Sequence, residues 1–180
     1  MGGQVFPGIG AAGDQRLRHS LGPSRRYVEI VRDLLDRGAR IDLVGVQMHI
    51  FNPAEAQRIA NGADTLTPEK NYAVLDCLRE AERPIHISEV TITAPEDSAA
   101  GWAIQAELTR NLYRLWFSYP DVMGITWWNM VDGGAAPGEP SFSGLYDTNM
   151  VQKPVYHTLE KLIHQDWKTR LTLRAEAGKP

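Results

Sequence analysis

The length, composition and charge of the chain limit the kinds of protein it can be. It has 180 residues, of which 43% are hydrophobic and 23% charged, with a formal net charge of -3. Such values are typical of a globular domain and provide no basic surface for nucleic acid. The single Cys77 excludes an internal disulfide, and no apolar run reaches the roughly 18 residues of a membrane span. We expect one domain, and neither nucleic acid nor a membrane among its partners.

The first 23 residues show no helical or strand periodicity and contain six glycines. We interpret residues 1–23 as a flexible linker or an expression remnant, and residues 174–180 as a tail. The segment Gly8–Gly13 has the spacing of a dinucleotide-binding loop. However, the residues before it are too few and too rich in glycine to form the strand that such a loop requires. The sequence therefore predicts no nucleotide cofactor.

From residue 24 onward, helical and strand patterns alternate. Ser24 can cap a first helix that ends at Gly38, and residues 41–50 form an apolar strand. Turn-like residues then lead to Thr67-Pro68-Glu69, which is typical of a helix start. The later elements are a strand at 84–93, a helix at 97–119, a strand at 122–128, a long loop and a helix at 154–164. This order predicts an α/β fold.

Strands that alternate with helices form a parallel sheet through right-handed crossovers. The carboxyl ends of parallel strands share one edge of the sheet, and binding sites are built at that edge. Six side chains in or just beyond the three strands form the candidate site: Gln47, His49, Glu89, Trp128, Asn129 and Asp132. The sequence thus brings an imidazole, amides, carboxylates and an indole to one rim.

Glu89 is the least expected of these residues, because its neighbours in RPIHISEVTIT favour a buried strand. Burying a carboxylate without a partner is costly, so Glu89 is either a buried ion-pair partner or a functional group. Gln47 and His49 could likewise be core residues whose polar atoms bond to the backbone. Their position on the strand next to Glu89 favours catalysis, since a fixed carboxylate can attack or stabilise an oxocarbenium-like carbon.

Two adjacent tryptophans end the third strand. Trp127 and Trp128 point to opposite faces, so only one of them can reach the site. We expect Trp127 to pack under the helices and Trp128 to offer its flat apolar face to a sugar ring. Because Gln and Asn side chains suit hydroxyl groups, the candidate site is typical of a glycosidase.

Four segments of the chain resemble glycoside hydrolase family 10, the retaining endo-β-1,4-xylanases. They are IDLVGVQMHI, RPIHISEV, GITWWNMVD and QKPVYHTLEKL. The resemblance covers residues 24–173 in order and spacing. It implies that the chain supplies the C-terminal half of a TIM-like (β/α)8 barrel that hydrolyses xylan. It also implies a secreted or periplasmic location and a reaction that needs no metal and no cofactor.

The resemblance assigns roles to the candidate residues. Glu89 matches the nucleophile, and His49 matches the residue that orients it. Gln47 matches a residue that positions the substrate, and Trp128 matches the indole at the floor of the site. Asn129 and Asp132 are substrate-binding candidates by their place at the rim and not by the resemblance.

The chain departs from the family pattern at three places. Thr91 stands where an aspartate usually braces the histidine, so this position carries no charge. Asn129 stands where glycine is usual and adds a polar side chain near the floor of the site. The loop sequence GGAAPGEPSF lacks the tryptophan that the family has after its last strand. We therefore expect the glycone end of the cleft to differ.

A retaining glycosidase also requires a second carboxylic acid, about 5 to 5.5 Å from the nucleophile. In the family this acid lies in the first half of the barrel, in an Asn-Glu pair, and no Asn-Glu occurs in this chain. Three or four strands also cannot close a barrel. We therefore expect the chain alone to be an incomplete enzyme whose partner is the N-terminal half of the barrel, elsewhere in the protein or on another chain.

Two other classes of protein are alternatives. A non-catalytic carbohydrate-binding fragment would keep Trp128 and Gln47 but would have no need of Glu89 so near His49. A different barrel enzyme, such as an aldolase or a phosphate-binding isomerase, would need a strand-end lysine or a glycine-rich phosphate loop after the last strands. Neither feature is evident in the sequence.

Overall fold

A computed structural model describes residues 21–172 of the chain. The predicted tail and the segment Gly8–Gly13 lie outside the described residues, as does the predicted linker up to residue 20. The helices are α1 Leu21–Asp36, α2 Pro53–Ala60, α3 Pro68–Arg79, α4 Ala99–Phe117 and α5 Pro154–Lys161. The strands are β1 Val44–Ile50, β2 Ile85–Ile92 and β3 Val122–Trp127. Short helical turns follow α2 at Asp64–Leu66 and α5 at Leu162–Asp166.

The three strands form one parallel sheet in the order β1-β2-β3. This confirms the predicted α/β fold with a parallel sheet. Within the described residues, β1 and β3 each pair with a strand on one side only, so both outer edges of the sheet lack a strand partner there. None of the helices in this part of the chain is long and apolar enough to cross a membrane.

Two predictions about the helices were wrong. Ser24 does not cap the first helix, because α1 begins at Leu21 and Ser24 lies inside it. The turn-like residues after β1 contain the helix α2, which the sequence analysis missed. Its signal was present: the Asn52 side chain accepts a hydrogen bond from the Ala54 amide at 2.9 Å, and Pro53 occupies the first turn.

The other helix starts follow their sequence signals. The Thr67 hydroxyl accepts a hydrogen bond from the Lys70 amide at 3.4 Å and caps α3. The Ser98 hydroxyl accepts one from the Gly101 amide at 3.1 Å and caps α4. A side chain at position 101 would place its Cβ 2.2 Å from the Glu96 carbonyl oxygen, so this turn requires glycine.

The two faces of the sheet differ in character. One face packs against the helices and is apolar, with these residues buried: Val44, Met48, Ile50, Ile85, Ile87, Val90 and Ile92. The other face, here called the polar face, carries the residues that alternate with them: Gly45, Gln47, His49, His86, Ser88, Glu89, Thr91, Gly124, Thr126 and Trp128. Burial of the apolar face holds the helices to the sheet and leaves the polar face without helix cover in the described part of the chain.

Candidate functional site

A bulge in β2 determines the direction in which Glu89 points. Val46 pairs with Ile87, and the next residue, Gln47, pairs with Glu89, so β2 has one extra residue between these pairs. Ile87 before the bulge and Val90 after it are both fully buried on the helix side, which a regular strand with a period of two does not allow. The bulge therefore turns both Ser88 and Glu89 to the polar face.

Glu89 and His49 approach each other on the polar face. His49 Nε2 lies 3.6 Å from Glu89 Oε2, and the side chains are 5% and 26% exposed respectively. This distance is within ion-pair range, although it exceeds the roughly 2.7–3.2 Å of a typical N–H···O hydrogen bond. The His49 ring also stacks on Phe51, with centroids 4.4 Å apart. The histidine is therefore held by packing, while the carboxylate keeps access to solvent.

The neighbours of this pair occupy the adjacent register positions. Gln47 is directly across from Glu89, and Thr91 is directly across from His49. The Thr91 hydroxyl is buried and has no hydrogen-bond partner among the described residues, so it does not take the place of a bracing carboxylate. Three of the predicted site residues, Gln47, His49 and Glu89, are thus brought together.

The two adjacent tryptophans at the end of β3 have different surroundings. Trp127 pairs with Val90 and packs against the core, where its ring lies 6.3 Å from that of Tyr113. Its indole nitrogen donates to the Asn129 carbonyl at 2.6 Å. Trp128 directly follows β3 and is 48% exposed, and the alternation of the strand assigns it to the polar face. Its backbone amide donates to the Val90 carbonyl at 2.9 Å, which continues β3 alongside β2.

Asn129 is directed into the loop that follows β3. Its side-chain amide donates to Glu139 Oε2 at 3.1 Å and to the Ser143 hydroxyl at 2.8 Å, and it is only 7% exposed. The other oxygen of Glu139 accepts a hydrogen bond from the Trp128 indole at 3.2 Å. The substrate-binding role of Asn129 stays a prediction, and its observed partners lie within the protein.

Asp132 forms a buried ion pair with Lys153. Lys153 Nζ lies 2.8 and 3.0 Å from the two carboxylate oxygens, and the Gly144 amide donates to Asp132 at 2.7 Å. Burial raises the pKa of Asp132, while the hydrogen bonds from Lys153 and Gly144 act in the opposite direction. A Cβ at Gly144 would lie 2.4 Å from the Asp132 amide nitrogen, so the close approach requires glycine.

These contacts make Asp132 an anchor between the loop after β3 and the start of α5. It lines a pocket of about 270 Å³ together with Asp97, Trp102 and Asp147, and neither Glu89 nor His49 is part of that lining. The substrate-binding role of Asp132 therefore also stays a prediction. Among the described residues, no group of three or more His, Cys, Asp or Glu side chains is arranged to hold a metal ion.

Comparison with known proteins places the chain in a family. Residues 17–162 match the profile of glycosyl hydrolase family 10. The chain belongs to this family. It is 27% identical over 149 residues to endo-1,4-beta-xylanase B of Thermotoga neapolitana, an alignment that covers 78% of this chain and 39% of that protein.

Solved structures of family 10 proteins share the fold. Native xylanase 10B from Thermotoga maritima superposes with a TM-score of 0.64 at 20% identity, over 84% of this chain and 45% of that chain. An intracellular xylanase from Thermoanaerobacterium saccharolyticum, a mutant in complex with xylotetraose, gives a TM-score of 0.62 at 18% identity, over 80% and 41% of the two chains. The prediction of a partial (β/α) barrel is confirmed. The chain spans less than half the length of these family 10 relatives.

Proposed function

We propose that this chain supplies the nucleophile and part of the substrate cleft of a family 10 xylanase that cleaves β-1,4-xylosidic bonds with retention of configuration. The observation that carries the proposal is the position of Glu89. The bulge turns its carboxylate to the polar face, 3.6 Å from His49 and directly across from Gln47. Xylan as the substrate is supported by the similar endo-1,4-beta-xylanase B and by a similar xylanase 10B solved with xylobiose.

Each residue has a role in the proposed mechanism. The Glu89 carboxylate attacks the anomeric carbon and forms a glycosyl ester, while a carboxylic acid protonates the departing sugar oxygen. Water, deprotonated by that second residue, then hydrolyses the ester and restores Glu89. His49 fixes the carboxylate from one side, and Gln47 offers an amide to sugar hydroxyls. The exposed Trp128 face supports a sugar ring.

The second carboxylic acid and the remaining strands are assigned to the N-terminal half of the barrel. This assignment is supported by the two sheet edges, which have no strand partner within the described residues. It is also supported by the match to 39% of the length of xylanase B and 45% of that of xylanase 10B. Joining the halves would cover both edges and enclose the polar face.

A chimera tests this proposal. Residues 24–173 would replace the matching segment of xylanase 10B from Thermotoga maritima, so that the barrel receives its strands from both proteins. We expect hydrolysis of β-1,4-xylan, and the first product should have the β configuration by proton NMR. Glu89→Gln should abolish this activity. Glu107→Gln, a matched change at an exposed position of α4, should leave it intact.

The unfused 180-residue chain provides the complementary measurement. It should hydrolyse xylan at least about 10² to 10⁴-fold more slowly than the chimera, because the proposal assigns the acid that protonates the leaving oxygen to the N-terminal half. Robust hydrolysis by this chain, lost on Glu89→Gln, would instead show a complete site without a partner. That outcome would contradict the half-site proposal.

A non-catalytic, xylan-binding fragment is the second candidate. The half-exposed indole of Trp128 favours it, because a flat aromatic face binds sugar rings without any chemistry. A pull-down on insoluble xylan separates the two candidates. If Glu89→Ala retains binding and no chimera hydrolyses xylan, the chain is a binding fragment.

Secretion or a periplasmic location is also a proposal. The similar structures include a xylanase from Thermoanaerobacterium saccharolyticum that is described as intracellular. Fractionation of the source cells, with detection by an antibody against this chain, would distinguish a secreted or periplasmic location from an intracellular one.

A further inference from the structure

We propose that Glu139 is a positioning residue that fixes the Trp128 indole for sugar binding. The inference rests on the proposed function, because it concerns the substrate-binding role of Trp128. It adds a residue from the loop after β3 that the family resemblance does not assign. Glu139 acts through the indole and through Asn129.

Both oxygens of the Glu139 carboxylate are engaged by consecutive residues at the end of β3. Oε1 accepts a hydrogen bond from the Trp128 indole nitrogen at 3.2 Å, and Oε2 accepts one from the Asn129 side-chain amide at 3.1 Å. The indole has a single N–H, and its hydrogen bond to Glu139 leaves the indole with no donor for a sugar hydroxyl. Recognition at Trp128 is therefore left to the apolar ring face.

Glu139 is itself tied back to the protein. Asn129 is 7% exposed and also donates to the Ser143 hydroxyl at 2.8 Å. That hydroxyl donates to the Pro140 carbonyl at 3.0 Å, and Pro140 directly follows Glu139. These contacts form a continuous hydrogen-bond network from Glu139 through Asn129 and Ser143 to the backbone of Pro140. Because Asn129 already orders the Glu139 side chain, the hydrogen bond to the indole costs little further side-chain entropy.

The arrangement matters because Trp128 is 48% exposed and has little packing to fix its side-chain rotamer. An indole that rotates freely must be immobilised when sugar binds, and that entropy cost weakens the complex. Trp128 and Asn129 each hold one oxygen of the Glu139 carboxylate, so the orientation of the indole depends on both side chains.

The first measurement uses the 180-residue chain labelled with ¹⁵N. Its five tryptophans give five indole N–H signals, and Trp128→Phe identifies the signal of Trp128. Glu139→Gln should move this signal and speed its exchange with solvent by about tenfold. A glutamine side chain has one acceptor oxygen instead of two, so it cannot accept hydrogen bonds from Trp128 and Asn129 as the two carboxylate oxygens do. Glu107→Gln, on an exposed face of α4, is the matched control and should leave it in place.

A double variant tests whether the Glu139 contact with Trp128 depends on pairing or on charge alone. In Glu139→Gln with Asn129→Asp, the donor and acceptor of the pair are exchanged, so the Gln amide can donate to Asp and its oxygen can accept from Trp128. The Ser143 hydroxyl, which now donates to the Pro140 carbonyl, can rotate and donate to the new carboxylate instead. We expect the Trp128 signal and its exchange rate to return toward their original values. A purely structural role for Glu139 predicts no such recovery.

Sugar binding provides the functional measurement. Titration with xylotetraose of the chimera inactivated by Glu89→Gln should show an about threefold weaker Kd for Glu139→Gln, no more than the loss expected from Trp128→Ala, and recovery in the double variant. In the active chimera, Glu139→Gln should change kcat less than KM. If Trp128→Ala leaves xylotetraose affinity unchanged, the proposed role of Trp128 fails. If Trp128→Ala weakens binding while Glu139→Gln alters neither the indole signal nor the affinity, the present inference is overturned and the proposed function stands.

Discussion

His49 Nε2 lies 3.6 Å from Glu89 Oε2, with the imidazole almost completely buried and the carboxylate about a quarter exposed. The two residues are on neighbouring strands, and the ring of His49 is braced by its stack on Phe51. Such an arrangement places one oxygen of the carboxylate beside the ring and leaves the group accessible to solvent. In the proposed mechanism the His49 imidazole orients the Glu89 carboxylate for attack.

Removing the imidazole tests that role. In the chimera, His49→Phe should retain the stack on Phe51 but lose the ring nitrogen that faces Glu89. We expect kcat to fall by about 10²-fold with a smaller change in KM, because a misplaced nucleophile costs most in the chemical step. Steady-state kinetics on xylotetraose would measure both constants.

Thr91→Val is the matched control for His49→Phe. Thr91 is directly across from His49, and its hydroxyl has no hydrogen-bond partner among the described residues. Its loss should therefore change kcat by no more than about twofold. Equal losses of activity in the two variants would contradict the special role of the imidazole.

Glu89 should become covalently labelled by a substrate whose leaving group needs no protonation. A 2-fluoro-xylobioside with a dinitrophenolate leaving group bypasses the acid and slows hydrolysis of the ester. The chimera should therefore gain the mass of one 2-fluoro-xylobiosyl group as dinitrophenolate leaves, located on Glu89 by peptide sequencing. Labelling of Glu139 or Asp132 instead would refute the assignment of the nucleophile.

Trp128→Ala should weaken the binding of xylo-oligosaccharides to the chimera. Loss of an aromatic stacking partner costs about 0.5–1.5 kcal/mol, which is roughly a two- to tenfold rise in Kd. Trp127→Phe is the comparison, because Trp127 packs on the helix side and donates to the Asn129 carbonyl. The Trp127→Phe variant should have a lower free energy of unfolding and an unchanged Kd for the xylo-oligosaccharide. Calorimetric titration and urea unfolding would separate the two effects.

Lys153→Met should destabilise the chain by about 3–5 kcal/mol, because it leaves the Asp132 carboxylate buried without its cation. Adding Asp132→Asn to this variant should recover most of the loss, since the asparagine is neutral and can still accept the Gly144 amide hydrogen bond. Urea unfolding of the 180-residue chain at neutral pH would measure both values. A double variant no more stable than Lys153→Met would indicate that the pair is not the source of the loss.

Tyr119 should make the stability of the chain depend on pH in the alkaline range. Burial, followed by the hydrogen bond to Asp76 and the charge of Asp76, raises the pKa of Tyr119 to about 12. A tyrosine in the unfolded chain ionises near pH 10. The stabilisation from Tyr119 is therefore fully present below about pH 10 and is lost as the pH rises toward 12.

Tyr119→Phe provides the measurement. The difference in unfolding free energy between the original chain and this variant should be constant from pH 7 to about pH 10 and then shift against the original chain. Other titrating groups contribute equally to both proteins and cancel. A difference that stays constant up to pH 11.5 would show that Tyr119 ionises at its ordinary pKa.

Much of the fold follows from local signals in the sequence. Thr67 and Ser98 cap their helices as their sequence context indicates, and the apolar alternation of the strands places Trp127 and Trp128 on opposite faces. Such features depend on residues within one turn or one strand. The sequence could also have revealed α2, because Asn52-Pro53 is a helix-start signal that outweighs the turn-like composition around it.

The details of the site depended on tertiary structure. Glu89 reaches the polar face only because β2 contains a bulge opposite β1, and the register of two strands 40 residues apart is set by packing of the whole sheet. The Glu139 contact with Trp128 and the pairing of Asp132 with Lys153 depend on the path of a long loop, which local preferences do not specify. The sequence by itself determined the elements and the strand ends at which polar residues gather. Only the tertiary structure decided which of those residues face one another, because each such contact joins segments whose relative position is fixed by burial of the common apolar face.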